Sequence, residues 1–127
     1  MEDLGEYFES TEGTGVLSTA DADGRVDSAL YGRPHVTDDD EVAFIMADRL
    51  SHRNTTENPH ACYLFMEKGS GYRGKRLYLT KLREEKHSQK IEQMRRRDKE
   101  MESDEDRFLV YFRVDSMRPL VGDTAGS

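Results

Sequence analysis

ADRLSHRNTTENP, residues 47–59, is the stretch that decides the fold, because it places a short helix directly after the apolar segment EVAFIMA at residues 41–47. Ser51 belongs to the residue types that cap helix N-termini well. Pro59 disfavours helical backbone angles in the residue before it. Together these two signals predict a helix of about two turns.

The start of this helix also predicts a site for an anion. Backbone N–H groups at a helix N-terminus, together with the positive end of the helix dipole, favour negative charge. His52 and Arg53 add donors for charge-assisted hydrogen bonds. From these residues alone, two interpretations stay open: a phosphate site, or a capped surface connector that carries an exposed arginine.

Two apolar segments flank the helix and predict strands. Glu41 to Ala47 is apolar at every position after the first, and Ala61 to Met66 reads ACYLFM. A short apolar run without alternation is typical of a strand that is buried on both faces. Both strands are therefore expected in the middle of the core.

The first ten residues predict a short helix that lies on the rest of the domain. Leu4, Tyr7 and Phe8 recur at helical spacing, and Asp3 and Glu6 have the spacing of a capping box.

A hairpin is predicted next. Val16 to Ala20 is strand-like, and Asp23-Gly24 is a strong hairpin-turn signal. The second strand is predicted from Val26 to Val36, with one face more polar than the other. Pro34 cannot donate to a strand ladder, which places this strand at an edge or at a bulge.

The C-terminal half predicts a loop, two strands and a helix. The loop from Gly69 to Arg76 contains three glycines and three basic residues. Strands are predicted from Leu77 to Leu82 and from Phe108 to Val114, and a long polar helix from Lys86 to about Met101. Residues 116–127 form a tail that is expected to fray in part.

The charges of the long helix predict a solvated surface and not a nucleic-acid patch. Its triplet Arg95-Arg96-Arg97 is followed within ten residues by six acidic side chains. Mixed charge of this kind is typical of an exposed helix.

Length and composition limit the possible function. A chain of 127 residues fits a single domain, residues 1–127, with a core that folds without disulfides. The net charge of −7 disfavours binding to nucleic acid or anionic membranes, which leaves small molecules and proteins as expected partners. The lone cysteine, the lack of a long apolar run and the acidic start predict a cytoplasmic protein.

These elements predict an α+β fold: a six-stranded antiparallel split β-barrel. It carries a short N-terminal helix, a short helix after strand three and a longer polar helix before strand six.

The order of elements and several local motifs resemble the pyridoxamine 5′-phosphate oxidase-like FMN-binding split barrel family. The resemblance covers roughly residues 4–121. Its carriers are Gly15-Val16-Leu17-Ser18-Thr19 with the Asp23-Gly24 turn, Ser28-Ala29-Leu30-Tyr31, Phe44-Ile45-Met46-Ala47, and Ser51-His52-Arg53 followed by Asn58-Pro59-His60-Ala61. The last motif is the most specific of the four.

The resemblance implies a cofactor site built from three segments. It assigns the FMN phosphate to the start of the short helix, the sides of the flavin to strand two and its underside to the end of strand three. The residues assigned in this way are Ser28, Ala29, Leu30, Tyr31, Ile45, Met46, Ala47, Ser51, His52, Arg53 and Asn54.

The resemblance also implies a homodimer with flavin at the interface. Tyr72, Arg73 and Lys75 in the glycine-rich loop are then candidates for contacts from the second subunit. Residues near Tyr111 and Arg113 are further candidates.

Two departures from the family bear on function. The phosphate site of the best-known oxidases is an arginine–lysine pair, whereas this chain has His52-Arg53, so one charge depends on pH. The longer C-terminal substrate-binding region of those oxidases is missing. The chain is therefore more similar to the small flavin reductases, nitroimidazole reductase-like proteins and simple FMN-binding proteins.

Other reactive side chains predict little further chemistry. The four histidines, at positions 35, 52, 60 and 87, lack metal-ligand spacing, so no metal is expected. His35 fits a surface hydrogen bond better than proton transfer. Cys62 lies in an apolar strand, where a free cysteine is usually a small core residue.

The sequence thus predicts an FMN-binding oxidoreductase that passes electrons from a nicotinamide donor to a small acceptor. In such a protein the cofactor carries the redox chemistry, and no side chain is assigned a catalytic role. The alternatives are a non-catalytic flavin carrier or redox sensor, and a split barrel that binds haem or a deazaflavin.

Overall fold

The computed structural model describes residues 3–69, 71–86 and 107–122. These ranges contain two helices and seven strands, in the order α1 (Leu4–Ser10), β1 (Gly13–Ala20), β2 (Val26–Leu30), β3 (His35–Asp38), β4 (Glu41–Ala47), α2 (Leu50–Glu57), β5 (His60–Glu67), β6 (Gly74–Lys86) and β7 (Arg107–Pro119). The architecture is α+β, as predicted. The predicted helix over residues 86–101 lies outside the described residues, except for Lys86, which ends β6.

The seven strands form one sheet with the order β2-β1-β5-β6-β7-β4-β3, and every pairing is antiparallel. No described pairing joins β2 to β3, so the sheet is not closed into a barrel. The prediction of six strands was wrong. The chain leaves the sheet between Leu30 and His35, and the single strand predicted from Val26 to Val36 is two strands at opposite edges. Pro34 lies in this break, where it needs no ladder partner.

The core lies on one face of the curved sheet. Thirteen buried residues form it, led by the large side chains of Phe8, Phe44, Tyr63, Phe65 and Phe112. Three of the ring pairs meet edge to face, at centroid distances of 5.3 to 6.3 Å, which is a favourable arrangement for their quadrupoles. Phe44 is tilted against Tyr63 at 5.0 Å, and Tyr63 stacks on Phe65 at 6.3 Å. Helix α1 covers this core with Leu4 and Phe8, and the Oδ1 atom of Asp3 accepts from the Glu6 N–H at 3.1 Å. The predicted cap of α1 is confirmed.

Strands β4 and β5, which were both predicted to be buried on both faces, differ in burial. Residues 42–46 of β4 are buried on both faces, as predicted. In β5, Tyr63 and Phe65 are buried and Ala61 on the same face is half-buried, whereas on the other face Cys62 and Leu64 are half-buried and Met66 is exposed. The prediction for β5 was therefore wrong on its outer face.

The ends of the C-terminal strands extend beyond the predicted limits. Strand β7 continues to Pro119, so residues 116–119 belong to the sheet and not to a frayed tail. No helix in the described part of the chain is long and apolar enough to span a membrane.

Candidate functional site

The corner between β4 and α2 is the centre of the candidate site, and its helix begins one residue earlier than predicted. Arg49 is the N-cap residue, with an extended backbone, and its side chain makes no capping hydrogen bond. Ser51 is the second helical residue, so its predicted role as N-cap was wrong. Ser51 is buried within the helix, where its side chain is hydrogen-bonded to Tyr31.

The start of α2 carries two permanent positive charges, Arg49 at the cap position and Arg53 in the helix. The Arg53 N–H donates to the Arg49 carbonyl at 3.0 Å. Both residues are exposed. The N–H groups ahead of Arg53 also lack acceptors within the helix, so the turn offers donors and positive charge together.

Tyr31 connects three elements at this corner. Its ring lies edge-on to Phe44 of β4 at a centroid distance of 5.9 Å, and its hydroxyl meets Ser51 of α2. Burial raises the pKa of Tyr31; the Ser51 hydrogen bond and the charge of Arg49 oppose this, and Asp27 adds to it. The residue after β2 is therefore held against α2 and β4 at once.

The predicted residues of β2 divide between its two faces. Ala29 is half-buried, on the same side as Asp27, whereas Ser28 and Leu30 are exposed on the opposite side. Successive side chains of a strand alternate in this way. The prediction assigned all four residues from Ser28 to Tyr31 to the cofactor site. Only Ala29 and Tyr31 lie on the side that packs towards α2.

The predicted residues of β4 are mostly enclosed. Met46 is fully buried in the main core, and Ile45 belongs to a second buried cluster on the other face of the strand. Ala47 is half-buried, immediately before the corner. Of these three residues, only Ala47 has surface that could meet a ligand.

His52 points into the protein. It is 5% exposed, and its ring is stacked on Phe108 at a centroid distance of 4.0 Å. Its Nδ1 lies 3.3 Å from the Asp48 Oδ1, and its Nε2 lies 3.1 Å from the Glu84 Oε1. Since carboxylates occupy both ring nitrogens, this ring offers neither nitrogen to an anion at the corner.

Asn54 also has a structural partner. It is 3% exposed and donates from its Nδ2 to the Thr19 Oγ1 of β1 at 3.1 Å. This bond holds α2 against the inner face of the sheet. Of the predicted residues Ser51 to Asn54, Arg53 is the one whose side chain is exposed.

The glycine-rich loop lies far from the corner within one chain. Helix α2 precedes the first residue of β5, whereas the loop follows the last, and a strand of eight residues spans roughly 25 Å. Tyr72 is 77% exposed at a positive φ of 49°, Arg73 is exposed, and the Lys75 Nζ lies over the Tyr7 ring at 4.5 Å. Contact of these residues with the corner would need a second subunit.

The further candidates on β7 have partners of their own. Tyr111 is buried and donates to the Glu85 Oε2 at 2.6 Å, and the Arg113 Nε donates to the Asp115 Oδ1 at 2.7 Å. Burial raises the pKa of the Cys62 thiol, and nearby Arg76 opposes the shift. Within the described residues, no group of three or more His, Cys, Asp or Glu side chains could hold a metal ion.

Sequence reasoning missed Arg49 as part of this corner. The signal was present in the spacing, because Arg49 precedes Arg53 by four residues. It was not read because the helix was expected to begin at Ser51, which put Arg49 in a loop.

Comparison with known proteins gives structural matches alone. No protein-family model matches the chain, and no curated protein matches it by sequence. HupZ from Group A Streptococcus has a TM-score of 0.74 at 15% identity, covering 99% of this chain and 100% of its own. An FMN-binding protein from Syntrophomonas wolfei has a TM-score of 0.73 at 15% identity, covering 94% and 84%.

Other matches extend the range of cofactors. A putative pyridoxamine 5′-phosphate oxidase from Listeria innocua has a TM-score of 0.65 at 18% identity, covering 93% of this chain and 98% of its own. An F420 reductase and the haem storage protein HutZ from Vibrio cholerae match at TM-scores of 0.71 and 0.67. With seven antiparallel strands and a helix at the β4–α2 corner, this chain has the split-barrel fold of the pyridoxamine 5′-phosphate oxidase-like proteins.

Proposed function

We propose that this chain is an FMN-binding flavoprotein that works as a homodimer and passes electrons from a nicotinamide donor to a small acceptor. The observation that carries the proposal is the pair of exposed arginines at the start of α2, with Arg49 at the cap position and Arg53 within the helix, beside the hydrogen bond between Tyr31 and Ser51. This corner lies in a fold that is shared with an FMN-binding protein. The cytoplasm, predicted from composition, is the proposed location.

The corner fits the phosphate end of such a cofactor. Open N–H groups at the start of α2 and the exposed guanidinium of Arg53 would hold the phosphate, with Arg49 adding positive charge. An arginine pair is a stronger phosphate ligand set than His52 with Arg53, since both charges persist at all physiological pH values.

Small and aromatic side chains beside the phosphate site would face the flavin. Ala29 and Ala47 leave space next to the corner, and the half-buried ring of Tyr31 forms one wall. The bound flavin supplies the redox chemistry. The chain's own contribution would be to fix the phosphate, exclude water from one side of the ring and orient it.

The homodimer is proposed from an apolar surface on the outer face of the sheet. Leu30, Val16 and Leu64 are directly opposite one another on β2, β1 and β5, so they share this face. Leu30 is 76% exposed, and nearby Val26 and Met66 are 73% and 42% exposed. Contiguous exposed apolar surface of this kind marks an interaction site. We propose that a second copy of this chain packs on this face.

An absorption spectrum of the purified protein tests the cofactor. Flavin bands, or their appearance after FMN is added and free ligand is removed, are the expected result. Anaerobic addition of NADH or NADPH then tests electron transfer, because a competent donor bleaches the flavin. A colourless protein that does not retain FMN would overturn the proposal.

The same measurements separate the alternatives. Bound flavin that neither nicotinamide bleaches would leave a carrier or redox sensor. A Soret band after haem is added would favour haem, which is suggested by the fold match to a haem storage protein. The match to an F420 reductase makes a deazaflavin the remaining candidate, and titration with that cofactor tests it directly.

A further inference from the structure

The buried imidazole of His52 has an unusual environment for a residue at the start of a helix. Asp48 lies ahead of the helix on one side of the ring and Glu84 of β6 on the other, at 3.3 and 3.1 Å from its two nitrogens. The Lys81 Nζ donates to the same Glu84 oxygen at 2.6 Å. On β7, the Phe108 ring stacks on the imidazole. These are the charged and aromatic groups that the described elements direct at the ring, with Lys86 beyond it, 5.7 Å from the Phe108 centroid.

The arrangement requires a particular charge state. A neutral imidazole carries one N–H and can donate to one carboxylate only, while its other nitrogen presents a lone pair. Two carboxylates at hydrogen-bond distance are both satisfied only by the imidazolium. Protonated His52 therefore bonds Asp48 and Glu84 at once, whereas the neutral ring leaves one carboxylate facing a lone pair.

This network holds the first turn of α2 against β6. An eight-residue helix with no side-chain cap has little stability of its own, so tertiary contacts must fix its position. His52 lies between Ser51, which meets Tyr31, and Arg53, which faces solvent. Any shift of the His52 ring moves the backbone that carries both neighbours.

We propose that His52 is a positioning residue whose proton ties α2 to β6 through Glu84 and so holds Arg53 and the open N–H groups in place for an anion. This inference rests on the proposed function for the identity of the anion, the FMN phosphate. His52 acts through the helix and does not touch the cofactor. Loss of the Glu84 carboxylate weakens this tie and lets the start of the helix shift, which lowers the affinity for the anion.

The decisive experiment compares the FMN affinity of wild type and Glu84→Gln at one pH. Loss of the charge-assisted hydrogen bond between the Glu84 carboxylate and His52 should raise the Kd for FMN about tenfold. The Kd for riboflavin, which has no phosphate, should be the same in both proteins. An unchanged Kd for FMN in Glu84→Gln, or an equal loss for riboflavin, overturns the proposal.

Matched controls separate positioning from general damage. Glu85→Gln alters the neighbouring carboxylate of β6, which accepts from Tyr111 on the other face, and should leave the Kd for FMN unchanged. His52→Gln should weaken FMN by a factor similar to that of Glu84→Gln, and the double variant should bind no more weakly than either single variant, because both changes remove the same contact. Riboflavin should bind all of these proteins with the same Kd.

A ligand-free measurement distinguishes failure of this inference from failure of the proposed function. Amide hydrogen exchange of residues 50–57, measured at one pH without FMN, should be slower in wild type and in Glu85→Gln than in Glu84→Gln. If FMN fails to bind wild type but this difference is present, the proposed function falls and the tie stands. If the difference is absent, the tie is overturned whatever FMN does.

Discussion

Arg53→Ala is the most direct test of the α2 corner as a phosphate site. Among the predicted residues Ser51 to Asn54, Arg53 has the exposed side chain, while its neighbours Ser51, His52 and Asn54 are engaged within the fold. Truncation at this position should therefore remove a ligand contact without removing a structural one. Surface substitutions of this kind change stability little, so the unfolding midpoint should stay within experimental error of wild type.

The expected magnitude follows from the exposure of the guanidinium. A hydrogen bond to a charged group contributes about 1.5 to 3 kcal/mol, and exposed ion pairs lie at the low end of such values because water screens them. We therefore expect a loss of about 1.5 kcal/mol, which is roughly a tenfold rise in the Kd for FMN. Higher salt should narrow the difference, since screening weakens an exposed charge pair.

The assay is fluorescence titration of FMN against the apoprotein, with riboflavin as the ligand that lacks the phosphate. Arg53→Lys should recover part of the affinity, because the charge remains while the paired N–H geometry is lost. Arg25→Ala removes a positive charge from the β1–β2 turn and serves as the control for net charge. Unchanged FMN affinity in Arg53→Ala, or an equal loss for riboflavin, would refute the reasoning and put the phosphate elsewhere.

Three further predictions concern the scaffold and the interface. A Cβ atom on Gly15 would overlap the Tyr63 hydroxyl and lie 2.6 Å from a backbone oxygen at the end of β2. Gly15→Ala should therefore lower the free energy of unfolding by about 1 to 3 kcal/mol in urea titrations. An unchanged unfolding midpoint would contradict this packing. If the proposed dimer forms through the outer face of β2, light scattering should show that Leu30→Asp is a monomer. The control Leu82→Asp, at a 43% exposed leucine of β6, should remain a dimer. A dimer that persists in Leu30→Asp would exclude the outer face of β2 as the interface. Burial alone raises the pKa of Glu84, but hydrogen bonds from a lysine of β6 and a histidine of α2 outweigh it and hold that pKa below its usual range. The stabilising effect of the Glu84 carboxylate is thus present above the unfolded-state pKa of about 4.3 and is lost as pH falls through the folded-state pKa. The unfolding free energies of wild type and Glu84→Gln should therefore converge in acid. A difference that stays constant with pH would argue against this effect of Glu84 on stability.

Local signals were sufficient for several elements of the fold. The cap of α1, the turn at Asp23-Gly24 and the burial of β4 all depend on residues within a few positions of one another. Gly24 has the positive φ of 83° that a hairpin turn requires, and its N–H donates to the Asp21 carbonyl at 3.1 Å. Backbone preferences and hydrophobic patterns act over such short distances, so they can be read directly from the chain.

The start of α2 shows where local reasoning was insufficient. Ser51 has the right chemistry for an N-cap, but the hydroxyl of Tyr31, twenty residues earlier in the chain, is its partner in the folded protein. In the structure the helix begins at Leu50 and Arg49 is the cap residue. The partner of Ser51 thus comes from a distant part of the chain, which the local sequence around the helix does not contain.

The sequence by itself determined the class of fold, the position of the short helix after β4 and the presence of positive charge at its start, because each depends on neighbouring residues. The tertiary structure alone decided that the strand predicted from Val26 to Val36 would divide between the two edges of an open sheet. It also decided that His52 would be enclosed by Asp48 and Glu84 while Arg49 and Arg53 face solvent. The direction of a side chain depends on which distant strands surround it, and burial selects the partner that satisfies its charge; no local pattern contains that information.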